Sequence, residues 1–519
     1  MGDLSLGSPT VLLGAVGIVM VLAIFVLDMR GKNKRKGKGA AAGRGGWPQW
    51  KRRLGYKAAV KAAKRRIPPR DDRPDQDLVC WLGKAGGHGL YYQHEDAILV
   101  YGPTRSGKTR SFANRAVAEA IGPVVSTGTK NDVLRATLEV RAERGRVAVY
   151  DPLGVVPDSI GITRLKWCPV AGCEDPEVAL RRANAWADAG PTGNVKNGDF
   201  FNRRAAETLG PLLHAAALTG GTIMDVYEWA DNLGDRDLMA VLTERGPRGW
   251  ATRLRSTANS RAGETVDSLK MTMGGLMSAL ASPRVVETLT PGPGEQFDVR
   301  SFLGGSNTLY LLADGRAGEQ IAPVFTMMLD EILYQANIES QHHEGGFLWP
   351  PLRVVGDEIA QLAPVRNLDV YMADSGGRGI QVMPIVQTTS QLKKRWGPEA
   401  ADTIRFAASA TLYLPGVKDE ALTRHIERLA GKRRVARTTT SSSTHGGSTS
   451  TSTEWEQVLP EADVPKLPDE HAWLEYRNLP IGDVYLPQWQ RPRPPKEPRV
   501  RKWARALRDD EPEQVSTHV

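Results

Sequence analysis

The sequence predicts an α/β protein in which strands and helices alternate around a parallel sheet, with a mostly helical segment inserted part-way along. Three observations predict it. Short β-prone apolar runs repeatedly lead through a turn into helical composition; one of them opens directly into a glycine-rich loop; and the middle of the chain carries apolar stripes of helical period.

The loop is the most specific of the three. Ala97 to Tyr101 is apolar and β-prone, Gly102-Pro103-Thr104-Arg105-Ser106-Gly107-Lys108-Thr109 follows at once, and Arg110 to Ala120 has helical composition. The spacing G-x-x-x-x-G-K-T is what phosphate geometry demands. Glycines let backbone N–H groups turn inward around a β-phosphate, and the helix N-terminus points its partial positive charge at the anion. Lys108 reaches the β- and γ-phosphates, and Thr109 places its hydroxyl on Mg²⁺. Gly102 to Thr109, with the adjoining Arg110, are therefore the candidate nucleotide-binding residues, and ATP with Mg²⁺ is the implied ligand. A glycine-rich turn that binds nothing is the competing reading, and the completeness of the motif and its flanks weigh against it.

Further β-then-turn runs follow at Val124 to Thr127 and Val147 to Tyr150. From Pro176 to Thr290 the character changes. Phe201, Ala205, Leu209, Leu212, Leu213 and Ala216 share one helical face, as do Val266, Leu269, Met273, Leu276 and Leu280, and these stripes read as packed core. β-Character returns at Thr308 to Ala313, and a helix follows with Ile321, Val324, Phe325, Met328 and Ile332 aligned.

Leu352 to Glu358 is an apolar strand ending in Asp357-Glu358. In a chain with a phosphate loop this pair is the expected second half of the site, Asp357 in the Mg²⁺ shell and Glu358 orienting or deprotonating the attacking water. Gly356 stands where an aliphatic residue is usual. Ile380 to Val386 ends in Gln387, which at a strand tip beside Glu358 can sense the γ-phosphate. Arg378, in Ser-Gly-Gly-Arg-Gly, is a loop arginine of the kind that reaches into a neighbour's site; an ordinary solvated arginine is the alternative.

Charge and hydropathy organise the ends. The 519-residue chain carries a formal +9, but Arg30 to Arg70 is rich in Lys and Arg without any acid, and the remainder is net negative. Thr10 to Leu27 is uncharged and 18 residues long, enough for a single membrane-spanning helix. The basic run directly after it places the N-terminus outside and the body in the cytoplasm, and suits anionic headgroups. Trp47 and Trp50, interleaved with those charges, read as interfacial. Cys80, Cys168 and Cys173 have neither metal-ligand spacing nor a disulfide framework, which indicates free thiols in a reducing compartment. Thr438 to Thr453 is a Ser/Thr/Gly tract expected to be a mobile loop, and Trp473 to Pro487 is β-rich.

The expected division is an anchor over 1–29, a basic linker over 30–76, a nucleotide-binding domain over 77–175 and 296–490, an all-α insertion over 176–295, and a disordered tail over 491–519.

The combination of GPTRSGKT at Gly102 to Thr109, STGTKND at Ser126 to Asp132, GDEIAQLAPV at Gly356 to Val365, GGRGIQVMPIVQTTSQL at Gly376 to Leu392 and LPIGDVYLPQW at Leu479 to Trp489 resembles the type IV coupling proteins, the TraG/TraD group. The resemblance spans about Tyr91 to Trp489. It implies a RecA-like motor domain with an all-α insert, working as a homo-hexamer on the inner membrane face and passing a relaxase-bound single DNA strand, the relaxosome substrate, to a type IV secretion channel. It carries Lys108 and Thr109 over as nucleotide and Mg²⁺ ligands, Asp357 and Glu358 as the Mg²⁺ and water-activating pair, Gln387 as γ-phosphate sensor and Arg378 as trans-acting arginine. The family usually has two membrane helices around a small external domain, whereas one is visible here, and a long acidic C-terminal extension is missing. Two other functions compete: a duplex DNA pump of the FtsK type, for which the tail after Trp489 is too short to hold a winged-helix reader, and a nucleotide-binding receptor for protein cargo.

Overall fold

The computed structural model describes residues 44–67, 70, 72–190, 198–259, 263–315, 318–443 and 446–491. Fourteen strands are present among them: β1 (Val79–Ala85), β2 (His88–Gln93), β3 (Ile98–Tyr101), β4 (Val124–Gly128), β5 (Val147–Tyr150), β6 (Thr163–Arg164), β7 (Thr308–Leu312), β8 (Leu352–Asp357), β9 (Ile380–Val386), β10 (Ala410–Tyr413), β11 (Lys432–Ser443), β12 (Gly446–Gln457), β13 (His471–Tyr476) and β14 (Gly482–Tyr485). Twelve form one sheet in the order β2-β1-β14-β13-β10-β3-β9-β8-β4-β7-β5-β6. From β10 to β6 every neighbour is parallel. The four strands beyond β10 add an antiparallel flank.

The central strands read as unbroken apolar runs because both sheet faces are covered. Every residue of β3, β8 and β9 is buried. Register then decides what meets at the strand ends. Tyr101 pairs with Val386, and Asp357 with Ile385, so the loop after β3, the acidic pair after β8 and Gln387 after β9 leave the sheet at one level.

Between Pro176 and Leu289 the described residues form helices at Pro176–Asp188, Gly198–Thr219, Ile223–Asp231, Arg236–Glu244, Trp250–Ala258, Gly263–Met277 and Pro283–Leu289. Local sequence sets their starts: Asp175 accepts from Glu177 N ahead of Pro176, Thr222 and Asp225 form a capping box, and Asp235 accepts from Asp237 N and Leu238 N. Ala205, Leu209, Leu212, Leu213 and Ala216 are all fully buried, and this helical core is continuous with one face of the sheet through Leu309, Leu311 and Val354. Arg182 Nε donates to Glu331 Oε2 at 3.0 Å, tying the first of these helices to Gly318–Ser340 across the join.

Three expectations change. The basic segment is no linker beyond Arg44: Trp47–Leu54 and Tyr56–Ala63 are helices with Trp50, Leu54, Ala59, Val60 and Ala63 buried and Lys51, Arg52, Lys57 and Lys61 exposed. Trp50 is not interfacial, because its indole N–H donates to Pro480 O at 3.0 Å and its ring is fully buried; Trp47 stacks on His88 at 4.4 Å. The folded body thus begins near Gly45, which bridges to Gly482, and not near Asp77. The Ser/Thr tract is no loop either. Its described residues, 438–443 and 446–453, form the outer part of the ribbon β11–β12, paired in register from Lys432↔Gln457 to Ser443↔Gly446. β-Branched threonines favour extended backbone, and each strand satisfies the other's N–H and C=O groups. At its base Arg433 meets Glu456 at 3.1 Å and Arg437 meets Glu454 at 3.3 Å.

The apolar run Thr10 to Leu27 and the tail from 492 lie outside the described residues. Among the described residues no helix is long and apolar enough to cross a membrane.

Candidate nucleotide-binding site

The loop after β3 wraps tightly. Arg105 at φ 64° and Gly107 at φ 83° are left-handed, and an added Cβ on Gly102 would stand 3.0 Å from Lys108 Cβ and 3.2 Å from Ser106 Oγ. The left-handed arginine costs about 1–2 kcal/mol, a local strain that the rest of the turn holds in place. Lys108–Ala113 is wound as a wide π turn and runs into the α-helix Asn114–Ala118, so Lys108 and Thr109 open a helix aimed at the loop. Gly102 N donates to Val386 O at 2.8 Å, locking the loop to β9.

The tips of β8 and β9 bring their side chains to the Lys108 end of the loop. The Lys108 ammonium sits 3.3 Å from Asp357 Oδ1 and makes a short ion-paired hydrogen bond to Glu358 Oε1. Gln387 Nε2 donates to the same Glu358 oxygen at 3.0 Å. Glu358 faces inward because its backbone is left-handed, φ 53°, and its C=O then accepts from Gln361 N and Leu362 N to start Ile359–Leu362. This turn explains Gly356. It folds Ile359 back over the strand, and a Cβ at 356 would lie 2.8 Å from Ile359 Cδ1.

Electrostatics follow from burial. Burial pushes the Asp357 carboxyl above its usual range, against the pull of Lys108 and helped by neighbouring Glu358. Burial also opposes the Lys108 ammonium, but Asp357 and Glu358 outweigh it, and its pKa rises above that of ordinary lysine. The backbone of Asp357 is held by Thr127 Oγ1, which donates to Asp357 O at 2.7 Å.

The residues suit a magnesium nucleotide. Ser106 Oγ and Asp357 Oδ1 are buried without a hydrogen-bond partner, the latter with only the Lys108 ammonium beside it at 3.3 Å. Among the described residues no cluster of three or more His, Cys, Asp or Glu is assembled for a metal. Mg²⁺ is commonly bound through one or two carboxylates together with substrate phosphates. Thr109 and Asp357 are the side chains that would hold it.

Arg110 is exposed, and its C=O accepts from Trp489 N at 3.0 Å. Arg378 is not in this site within the chain. It sits in the turn Ser375–Arg378 before β9, at the end of that strand opposite Gln387, with Nε 3.1 Å from Asp374.

The structure adds a wall that sequence reasoning missed. Pro103 to Ser106 and Gln387 share a cleft with Thr388, Gly416, Lys418 and Asp419. Asp419 caps the helix Glu420–Ala430 and accepts from Thr389 N at 2.9 Å and Thr389 Oγ1 at 2.6 Å. Burial would raise its carboxyl, but these donors hold it below the usual range. The available signal was the apolar run at Thr411 to Leu414 stopped by Pro415-Gly416, a second strand-to-turn junction whose partner, β3, only pairing reveals.

Comparison with curated protein sequences gives no match. The family model for type IV secretory system conjugative DNA transfer matches residues 44–158, and that for the TraM recognition site of TraD and TraG matches residues 351–469. Among solved structures, the chain is similar to the bacterial conjugative coupling protein TrwBdeltaN70 in its unbound monoclinic form, with TM-score 0.60, 19% identity, and coverage of 84% of this chain and 93% of that one. It is similar to TrwB in complex with the non-hydrolysable ATP analogue ADPNP, at TM-score 0.59, 19% identity, and 84% and 94% coverage. For TrwB with ADP and Mg²⁺ the values are 0.57, 20%, and 76% and 86%. At these identities the structural likeness establishes the fold. The two matched regions hold the phosphate loop in one and Asp357, Glu358 and Gln387 in the other, so the site residues lie in the parts of the chain that resemble the type IV coupling protein family.

Proposed function

We propose that this chain is a membrane-anchored ATPase that receives a relaxase-bound DNA strand and drives it into a type IV secretion channel, working as a hexamer with its motor in the cytoplasm. What carries the reading is the convergence of Lys108, from the loop after β3, with Asp357, Glu358 and Gln387, from the tips of β8 and β9, on one point. A receptor that only binds nucleotide has no need of a carboxylate and an amide aimed where a γ-phosphate would sit.

Mg²⁺, when bound, neutralises charge developing between the β- and γ-phosphates. The chain's own groups do the rest. Backbone N–H groups of the loop after β3 cradle the phosphates, and Lys108 leaves its carboxylates to pair with them. Glu358, released from Lys108, accepts the proton of the attacking water. Gln387, already hydrogen-bonded to Glu358, reports whether the γ-phosphate is present. An arginine from a neighbouring copy, for which Arg378 is the candidate, supplies further charge in the transition state.

The test is ATP hydrolysis by the full-length chain in lipid nanodiscs, alone and with single-stranded or duplex DNA, beside Lys108→Ala. Turnover stimulated by single strands and lost in the variant supports the motor. Nucleotide binding without turnover in any assembly state overturns it in favour of a receptor.

A further inference from the structure

Behind the phosphate loop the chain buries a guanidinium that, among the described residues, contacts no carboxylate. Arg353, near the start of β8, is 4% exposed. Its Nε donates to Gln381 Oε1 on β9 at 2.8 Å, its Nη1 to Ala116 O on the helix after the phosphate loop at 2.8 Å, and its Nη2 to Cys80 Sγ on β1 at 2.8 Å. One side chain thereby braces the strand that ends in Asp357, the strand that ends at Gln387, and the helical segment that starts at Lys108.

A buried charge is tolerated when an opposite charge and satisfied hydrogen bonds meet it. Of the three groups Arg353 touches, two are neutral carbonyls, and the sulfur is the one able to carry a negative charge. His94 Nδ1 lies 3.4 Å from the same sulfur, with Nε2 anchored 2.7 Å from Asp77 O. The titratable groups facing the sulfur are His94 and Tyr92 from β2 and its following turn and Arg353 from β8, while Glu119 acts on Tyr92 and Arg353 from the end of the loop helix. Burial works to raise the Cys80 thiol, but His94 and Arg353 overcome it and bring it down to about 7. By contrast, burial pushes Cys173 up to about 11.

Cys80 is 8% exposed and lines a cavity. The cavity, of about 500 Å³, is walled by Tyr92, His94, Phe112 and Arg353 and runs out to the exposed Gln76 and Arg144. That volume admits a small organic molecule.

We propose that Cys80 is the thiolate counter-ion of Arg353 and a covalent modification site for small uncharged electrophiles, hydroperoxides among them, and that its modification loosens the brace behind the phosphate loop. With hydrogen peroxide, Sγ attacks one oxygen, an S–O bond forms as the O–O bond breaks, and sulfur gives up two electrons. The second oxygen leaves as hydroxide, which takes up a proton from the buffer, and the product is a neutral sulfenic acid. Arg353 then loses its counter-charge and gains an added atom in its packing.

The test uses the full-length chain and iodoacetamide, which alkylates a thiolate with loss of iodide, followed by peptide mass spectrometry, thermal melting and ATP hydrolysis. Cys80 is expected to label at least ~10-fold faster than Cys173 at pH 7, and its rate to rise only about twofold by pH 9, where a thiol of ordinary pKa gains about 20-fold. Labelled protein should melt several degrees lower and hydrolyse ATP more slowly, whereas in Cys80→Ser neither melting nor hydrolysis should respond to the reagent. Labelling no faster than at Cys173, an ordinary thiol's pH profile, or complete Cys80 labelling that leaves melting unchanged would each overturn the proposal. Labelling and melting are read without turnover, so they stand or fall apart from the ATPase reading.

Discussion

Gln387 Nε2 lies 3.0 Å from Glu358 Oε1, so the amide at the tip of β9 is already bonded to the carboxylate at the tip of β8. The contact depends on register: Asp357 pairs with Ile385, which brings the residues just beyond each strand end side by side. Together with the Lys108 ion pair it holds the two halves of the site in one arrangement.

Gln387→Ala should therefore reduce kcat far more than nucleotide affinity. The expected loss is on the order of 10²-fold in turnover, the scale of one lost transition-state hydrogen-bond donor, with Kd within about threefold. Stopped-flow binding beside steady-state hydrolysis checks it, and equal losses in both would place Gln387 in ground-state binding instead.

Asp357→Asn should stabilise the nucleotide-free chain while abolishing Mg²⁺-dependent hydrolysis. Because burial raises the folded-state pKa of Asp357, ionising it costs stability at neutral pH. The melting-temperature advantage of the variant should be greatest above that raised pKa and shrink as pH falls through it toward the unfolded value. A pH series of thermal melts measures this, and an advantage that grows on acidification would contradict the burial argument.

Arg378→Ala should leave nucleotide binding and the melting temperature of the isolated chain nearly unchanged, since its contact is an ion pair with a mostly exposed Asp374. If it acts across a ring, turnover of the assembled form should drop by on the order of 10³-fold. Mixing it with Glu358→Gln subunits should then restore sites that combine an intact Glu358 with an intact neighbouring Arg378. No recovery on mixing removes the trans role.

A fragment beginning at Asp77 should fail to fold, and one beginning before Arg44 should succeed. Trp50, on the first helix, is fully buried with its indole N–H on Pro480 O, so Trp50→Ala should cost about 3–5 kcal/mol in chemical denaturation. A stable fragment from Asp77 would show that the two basic helices are an accessory layer.

Shortening the ribbon by removing its outer Ser/Thr part should leave the melting temperature within about 2 °C, because β11 and β12 pair only with each other. A larger drop would mean that the ribbon packs on the body in solution.

The phosphate loop, the strand ending in Asp357-Glu358, the strand ending at Gln387 and the helical middle were legible in the sequence because each is local. A run of β-formers, a glycine at a left-handed turn and apolar residues at helical spacing each act over about ten residues. Tertiary structure decided the rest, since it depends on what lies opposite. Whether Trp50 faces lipid or Pro480, whether a Ser/Thr tract finds a partner strand, that Thr388 and Asp419 wall the nucleotide cleft, and that Arg353 meets Cys80 across 273 positions are questions of pairing between distant segments. Such pairings arise when one chain buries its apolar faces together and must then satisfy every polar group it has enclosed.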